Sequence, residues 1–279
     1  MHLGKKILFY ANILSLDVVA GALAGMVFFS DLLDIEVSGI AFTVLALAVW
    51  SIYTFDHLWD ARTSKGIPQS KRHFFHYRYF RPLGFAFILS VCLLGVLLLV
   101  EEEVKALLLP GFALGLGLFI WSGLVKLSGR AGAFFKEVLT ALFYVAGIAL
   151  VPVVVFGWKH LPLLFFVYAG LYFLIAWANL LILSLLDKDL DREEFGSVLN
   201  IISEADLVRL IKIILLLTAL ALLTLLFFQK SFFHLHASIL GLMLWVHGRN
   251  FLGGNRDVQV KRQEMEASFL LPFLLLLFH

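Results

Sequence analysis

Two pairs of carboxylates are the residues best placed, by type and spacing, to do chemistry. Asp56 and Asp60 lie in IYTFDHLWDAR (residues 52–62), and Asp187 and Asp191 in NLLILSLLDKDLDR (residues 179–192). Residues four apart on a helix are stacked neighbours, so each pair directs two carboxylates from one helical face. Each pair also ends a long apolar run, where a helix C-terminus disfavours acids by about 0.3–1 kcal/mol each and like charges repel. Acids held in such places point to a cation between them. Hard oxygen ligands, with water and phosphate completing the shell, suit Mg²⁺ carried on the phosphates of a substrate. The competing reading is a set of solvated markers at a membrane exit.

The run Asp187, Asp189, Asp191 has the opening spacing of a calcium loop, but Arg192 and Val198 stand where that loop needs Gly and Glu. No HExxH, P-loop or dinucleotide-binding glycine pattern occurs. After the first acidic pair comes a basic complement, ARTSKGIPQSKRHFFHYRYFRP (residues 61–82). Its interleaved aromatic and basic residues suit an interfacial segment attracted to anionic headgroups. Within it, Lys65, Lys71 and Arg72 are best placed to fold over the acids and clamp a diphosphate. Arg130 and Lys136 open a later apolar run and suit the same task. Metal together with Lys and Arg is what departure of a diphosphate requires, because both stabilise charge developing on the leaving oxygen.

Membrane helices must position these residues. The chain has 279 residues, 61% hydrophobic and 15% charged, with a mean hydropathy of +0.95. A soluble domain is about half apolar and a quarter charged, so the composition is that of an integral membrane protein. A formal net charge of +2 gives no reason to expect nucleic acid or another polyanion as partner. Cys92 is the only cysteine, which rules out an intrachain disulfide, and its apolar setting (SVCLLGVLLLV) is unlike that of a catalytic thiol. Lys5, Lys6 and the residues after them have the outline of a signal peptide. Asn12 and Asp17 interrupt that stretch and apolar residues continue to Phe29, which predicts a retained first helix.

At about 20 apolar residues per crossing, spans are predicted near 7–29, 38–59, 82–100, 104–125, 133–157, 162–186, 206–228, 232–248 and 266–279. The expected fold is all-α and polytopic, with about nine transmembrane helices in a single domain over 1–279. With the N-terminus in the cytoplasm, all but three of the 22 Lys and Arg residues fall on the cytoplasmic side. Only Lys105, Lys159 and Lys230 face the other way. Both acidic pairs, Arg130 and Lys136 share the cytoplasmic side, as do the longer connections 61–81, 187–205 and 249–265. Loops on a packed scaffold tend to carry function, so the active site is expected there. Repetition of the acidic pair on two helices facing one compartment favours the metal-ligand reading over the end-marker reading.

At these residues the chain resembles the UbiA superfamily of intramembrane prenyltransferases. The family's first motif, N-x-x-x-D-x-x-x-D, is matched by Asp56 and Asp60, with Ile52 in the Asn position. The second, D-x-x-x-D, is matched by Asp187 and Asp191, with Asp189 between them. LLDKDLDREEFGSV (residues 185–198) is especially similar to the family's exit from its sixth helix. The likeness covers nearly the whole chain in architecture and two short regions in sequence. It implies a helical bundle around a central cavity, open laterally to lipid and capped by the cytoplasmic loops. It further implies that the aspartates bind Mg²⁺ and an isoprenyl diphosphate, while the basic residues after the first motif and at the start of the fifth helix assist diphosphate departure. The segment Lys65-Gly-Ile-Pro68 lacks the Arg-Pro pair common in quinone-biosynthetic members. That difference and Ile52 leave the acceptor open, and Ile52 also leaves open an inactive or re-purposed member.

Polar groups inside spans are functional candidates, because lipid solvates them poorly. Asp17, at about 1.5 Å per residue from Lys6, is predicted near the bilayer midplane. Asp17 and Asn179 are candidates for substrate binding, beside Asn12 and Ser184. The alternative is hydrogen bonding between helices for Asn and Ser, and pairing with another polar group for Asp17. His57 is turned away from the flanking acids by its one-residue offset. Trp50, Tyr53, Tyr144, Tyr168, Tyr172 and Trp177 are candidates to face an allylic cation through their rings.

The function expected is transfer of a prenyl group from an isoprenyl diphosphate to an aromatic or lipid acceptor, with Mg²⁺ on Asp56, Asp60, Asp187 and Asp191. Two alternatives stay open. One is a terpene cyclase that needs no acceptor. The other is a transporter or lipid-binding membrane protein whose acids hold a cation in transit.

Overall fold

Runs of Leu, Ala, Val and Phe with no water around them satisfy their backbone polar groups within the segment, as helix. Every regular element among the described residues is helical. The computed structural model describes residues 10–63, 71–128, 130–187, 198–228, 230–254 and 256–278, with side chains except at 63, 71–73, 126–128, 130–134, 200 and 231. The elements are α1 (Leu16–Leu32), α2 (Gly39–Thr63), α3 (Lys71–Arg78), α4 (Phe80–Val100), α5 (Glu102–Lys105), α6 (Leu108–Ser128), α7 (Arg130–Phe156), α8 (Leu163–Leu186), α9 (Glu204–Phe228), α10 (Ser231–Leu252) and α11 (Val258–Ser268). Short 3₁₀ turns occur at Trp158–His160 and Val198–Asn200, and a longer 3₁₀ run at Leu271–Leu277.

Six of these helices, α2, α4, α6, α7, α8 and α9, are long and apolar enough to cross a membrane. The molecule is therefore an all-α membrane protein. Helices α1, of 17 residues, and α10, of 22, follow the first and eighth predicted spans.

Two predicted spans are corrected. The first, 7–29, is broken at Leu14 and Ser15, where Ser15 takes a left-handed φ of 57° and α1 starts afresh at Leu16. The ninth, 266–279, is not a continuous helix. Helix α11 stops at Ser268, and the apolar residues beyond form the 3₁₀ run with Pro272 in its first turn. Proline has no N–H to give to the preceding turn, and at about 2.0 Å per residue a seven-residue 3₁₀ run falls well short of a bilayer's hydrocarbon thickness of about 30 Å.

The chain forms two compact units. The first comprises residues 1–23 and 37–108. Within it α2 packs against α3, α4 and α5. Ser38 caps α2, its Oγ accepting from the Ala41 N–H at 3.3 Å, and the Ser51 and Ser90 hydroxyls meet at 2.9 Å to link α2 with α4.

The second unit comprises residues 24–36 and 109–279. Here α8 is the central element, packing against α7, α9, α10 and α11. Its buried side includes Phe165, Tyr168, Tyr172, Ile175, Asn179 and Ile182, recurring every three or four residues as one helical face requires. Tyr168 and Tyr172 are fully buried and pack against Phe28, with Phe29 against Tyr172. Helix α11 is capped by Asp257, whose carboxylate accepts from the Gln259 N–H at 2.7 Å. Met265 inserts from α11 into a core formed with Ala178, Leu181, Ile182, Val198, Leu207, Ile211 and Ile214.

Candidate functional site

In the first unit the acidic pair stands on the last two turns of α2, inside the helix, which continues to Thr63. Asp56 is exposed and Asp60 partly so, while Thr54, His57, Leu58 and Ala61 turn to the interior. His57 points away from the acids, as its offset predicts. Its Nε2 lies 3.4 Å from the Ser15 hydroxyl, and its ring centre is 4.8 Å from that of buried His76 on α3. The two imidazoles join α2 to α3, the helix that Lys71 and Arg72 open. The sequence motif thus becomes an acidic helix end with a basic helix packed along it. Lys65 and the side chains of Lys71 and Arg72 lie outside the described residues.

In the second unit, Asp187 is the C-cap of α8, its N–H donating to the Leu183 carbonyl at 2.9 Å. It lines a pocket with Lys136, Glu137, Thr140, Leu180, Leu183 and Ser184. Lys136 and Ser184, both picked out by sequence, therefore share a site with Asp187. Ser184 donates to Glu137 Oε1 at 3.2 Å across the α7–α8 contact, and Glu137 is buried. The Asp187 carboxylate makes an ion pair with Arg262 of α11. The premise that the acids at this helix end lack a cation is corrected for Asp187: the chain supplies one. Asp189 and Asp191 lie outside the described residues, as does the side chain of Arg130 in the first turn of α7.

Helix α11 is fastened so that Arg262 stays at this place. Arg249, at the end of α10, donates to both carboxylate oxygens of Glu264, at 2.9 and 2.8 Å. Arg256 approaches the same carboxylate at 3.6 Å. Lys261 donates to the Gly253 carbonyl at 2.8 Å. Both bonds to Glu264 come from the one Nη2 nitrogen of Arg249, a forked, charge-assisted contact.

The intramembrane polar candidates have protein partners. Asn12 donates to Asp17 at 2.7 Å, which is the pairing alternative for Asp17. Asp17 belongs to the first turn of α1, where a negative charge complements the helix dipole. Asn179 is buried, with Oδ1 3.2 Å from Nε2 of His247, which is itself buried and has Nδ1 2.7 Å from the Met243 carbonyl. This is the interhelical hydrogen bonding weighed as the alternative for Asn179.

Sequence reading missed Glu137, Arg262 and His247. Glu137 was adjacent to a named residue in AFFKEVL, where an acid beside Lys136 inside an apolar run was the available signal. Arg262 carries no signal in the sequence beyond lying in a basic connection expected on the cytoplasmic side.

Among the described residues no three His, Cys, Asp or Glu side chains form a group able to hold a metal ion. Mg²⁺ commonly takes one or two carboxylates and completes its shell with water and phosphate oxygens. Asp56 and Asp60, one helical turn apart on α2, fit that donor set; Asp187 carries the same kind of oxygen donor and is paired with Arg262. No family model, no curated protein and no solved structure matches the chain.

Proposed function

We propose that this protein is a Mg²⁺-dependent membrane prenyltransferase of the UbiA kind, with its N-terminus and its active site at the cytoplasmic face. In this reading α1 and α10 cross the membrane beside the six more apolar helices, and the reaction takes place in a chamber that excludes water. The observation that carries the reading is the pocket at the end of α8, where Asp187, Glu137 and Lys136 are brought together and a fourth charged side chain, Arg262, closes on Asp187. Two cations and two carboxylates gathered at a helix end suit a phosphate that arrives with a divalent cation better than they suit a solvated marker.

Asp56, Asp60, Asp187 and Asp191 are the residues that would hold Mg²⁺, with Asp189 beside them. When bound, the ion neutralises the diphosphate and stabilises its departure. Lys136, with Arg130, Lys65, Lys71 and Arg72, binds the phosphate oxygens and takes up the charge that develops on them. The bond that breaks joins the prenyl C1 to the bridging oxygen, and its electron pair leaves with the diphosphate. The allylic cation then accepts an electron pair from a carbon or oxygen of the aromatic or lipid acceptor, which loses a proton. Exclusion of water from the chamber prevents hydrolysis of the cation.

One observation favours a second reading. Since Arg262 already balances Asp187, the pair also suits a non-catalytic membrane protein in which α11 is simply stapled to α8. Diphosphate release separates the two. Purified protein is incubated with geranyl, farnesyl or geranylgeranyl diphosphate, with and without Mg²⁺ and a panel of aromatic acceptors. The prenyltransferase reading expects Mg²⁺-dependent release that falls about 10²-fold or more in Asp56→Asn and Asp187→Asn. Release without an acceptor and with a cyclic hydrocarbon product identifies a cyclase. Absence of release by the wild type under every condition overturns the enzymatic reading.

A further inference from the structure

We propose that Arg262 is a phosphoryl-binding residue of the pocket at the end of α8, with Asp187 as the counter-ion that the phosphate displaces. The proposal deepens the function put forward above and rests on it for the identity of the ligand. Four observations carry it. First, Arg262 and Asp187 are each about one-quarter exposed, at 28% and 25% of the side chain. The pair is partly open to solvent yet shielded enough for its charges to matter. Second, Asp187 itself lines the pocket, so a guanidinium bound to it sits at the pocket's edge. Third, α11 is held on both sides of Arg262. Lys261 and the Arg249–Glu264–Arg256 cluster fasten it to the end of α10, and Met265 anchors it in the core. A fastened helix presents its guanidinium at low cost in side-chain ordering. Fourth, the charges at the site are balanced, Lys136 and Arg262 against Glu137 and Asp187.

That balance dictates how the site works. A bare phosphate meets two carboxylates along with two cations and gains little. A divalent cation arriving with the phosphate takes the Asp187 carboxylate and frees Arg262. The guanidinium fork then faces phosphate oxygens, with which it forms the same two-pronged contact it would form with a carboxylate. The exchange is charge-neutral for the protein, and it makes phosphate and Mg²⁺ binding interdependent.

The probe is inorganic pyrophosphate, titrated by calorimetry into the full chain in detergent with and without Mg²⁺. sn-Glycerol 3-phosphate serves as a second probe representing a lipid headgroup. Wild type is expected to bind pyrophosphate in Mg²⁺ and to bind it poorly without. Arg262→Gln should lose about tenfold or more in affinity, and Arg262→Lys should recover part of the loss because it keeps the charge without the fork. Asp187→Asn should gain affinity for pyrophosphate in the absence of Mg²⁺, since Arg262 then lacks its counter-ion, and Arg262→Gln in that background should abolish the gain. A purely structural staple would not produce that gain.

Equal affinities for wild type and Arg262→Gln, both with thermal transitions in the wild-type range, would overturn the proposal while leaving the prenyltransferase reading intact. A shared preference for glycerol phosphate, still sensitive to Arg262→Gln, would uphold Arg262 and move the ligand to a lipid headgroup, which sinks the prenyl diphosphate reading alone. No binding of either probe by wild type overturns both.

Discussion

Asn179 and His247 illustrate how a polar residue inside a span acquires a role. Both are buried on facing helices, and the carboxamide lies within hydrogen-bond reach of the imidazole. Removing the carboxamide leaves Nε2 of His247 without its partner in a region that cannot resolvate it, a loss of about 1–3 kcal/mol. Asn179→Ala should lower the thermal transition of the detergent-solubilised protein and leave Mg²⁺–pyrophosphate affinity unchanged. A normal transition with reduced affinity would instead return Asn179 to the substrate site. From sequence both roles are open to Asn179, because the deciding fact is the residue 68 positions away that faces it. Arg262 was illegible for the same reason. Its partner is 75 residues distant, and only the docking of α11 brings them together. Ser184 was legible, because it shares a face with Asp187 on a single helix and helical spacing alone places it there.

Elements were legible where composition alone dictates them. Helix α8 was expected at 162–186 and runs Leu163–Leu186, since an unbroken apolar run bounded by Pro162 and Asp187 leaves no other choice. Breaks were less legible. The Ser15 turn interrupts an apolar run without Gly or Pro, and the 3₁₀ course of residues 271–277 has the same composition as a helix. Packing demands are sharper still and invisible to hydropathy. A Cβ on Gly25 of α1 would stand 2.5 Å from Ile148 Cδ1 and 3.1 Å from the Tyr172 hydroxyl, so a methyl there obliges the buried Ile148 side chain to shift. Gly25→Ala should therefore destabilise by about 1–3 kcal/mol. Gly115→Ala on α6, where an added Cβ meets nothing within 4 Å, should be neutral or stabilising by about 0.5–1 kcal/mol. Thermal denaturation of the two variants side by side checks this, and a reversed order would refute the close approach. Met265→Ala empties a fully buried position between α11 and α8 and should cost about 2–4 kcal/mol. If α11 unfastens before the rest, backbone amide exchange in 258–268 should rise more than in α8.

The orientation proposed for the whole molecule rests on the distribution of its basic residues, and residues 271–278 are where it can be tested most sharply. In the proposed orientation all but three of the 22 Lys and Arg residues lie at one face, which the positive-inside rule would make cytoplasmic. If 266–279 crossed the bilayer, as its hydropathy suggests, the C-terminus would emerge on the opposite side from the N-terminus. The 3₁₀ run Leu271–Leu277 is too short to do so, and it packs against α10, so the chain is expected to end on the cytoplasmic side with the pocket. The single native cysteine makes the experiment simple. In a Cys92→Ser background, Lys65→Cys, Lys105→Cys and Phe278→Cys each carry one thiol, Phe278 being 68% exposed. An impermeant maleimide added to sealed vesicles of known sidedness should label Phe278→Cys from the same face as Lys65→Cys, and Lys105→Cys from the other. Labelling of Phe278→Cys together with Lys105→Cys would mean a ninth crossing. Helix α11 would still reach the pocket from the cytoplasmic side, but the apolar tail would pass into lipid and lose its contact with α10.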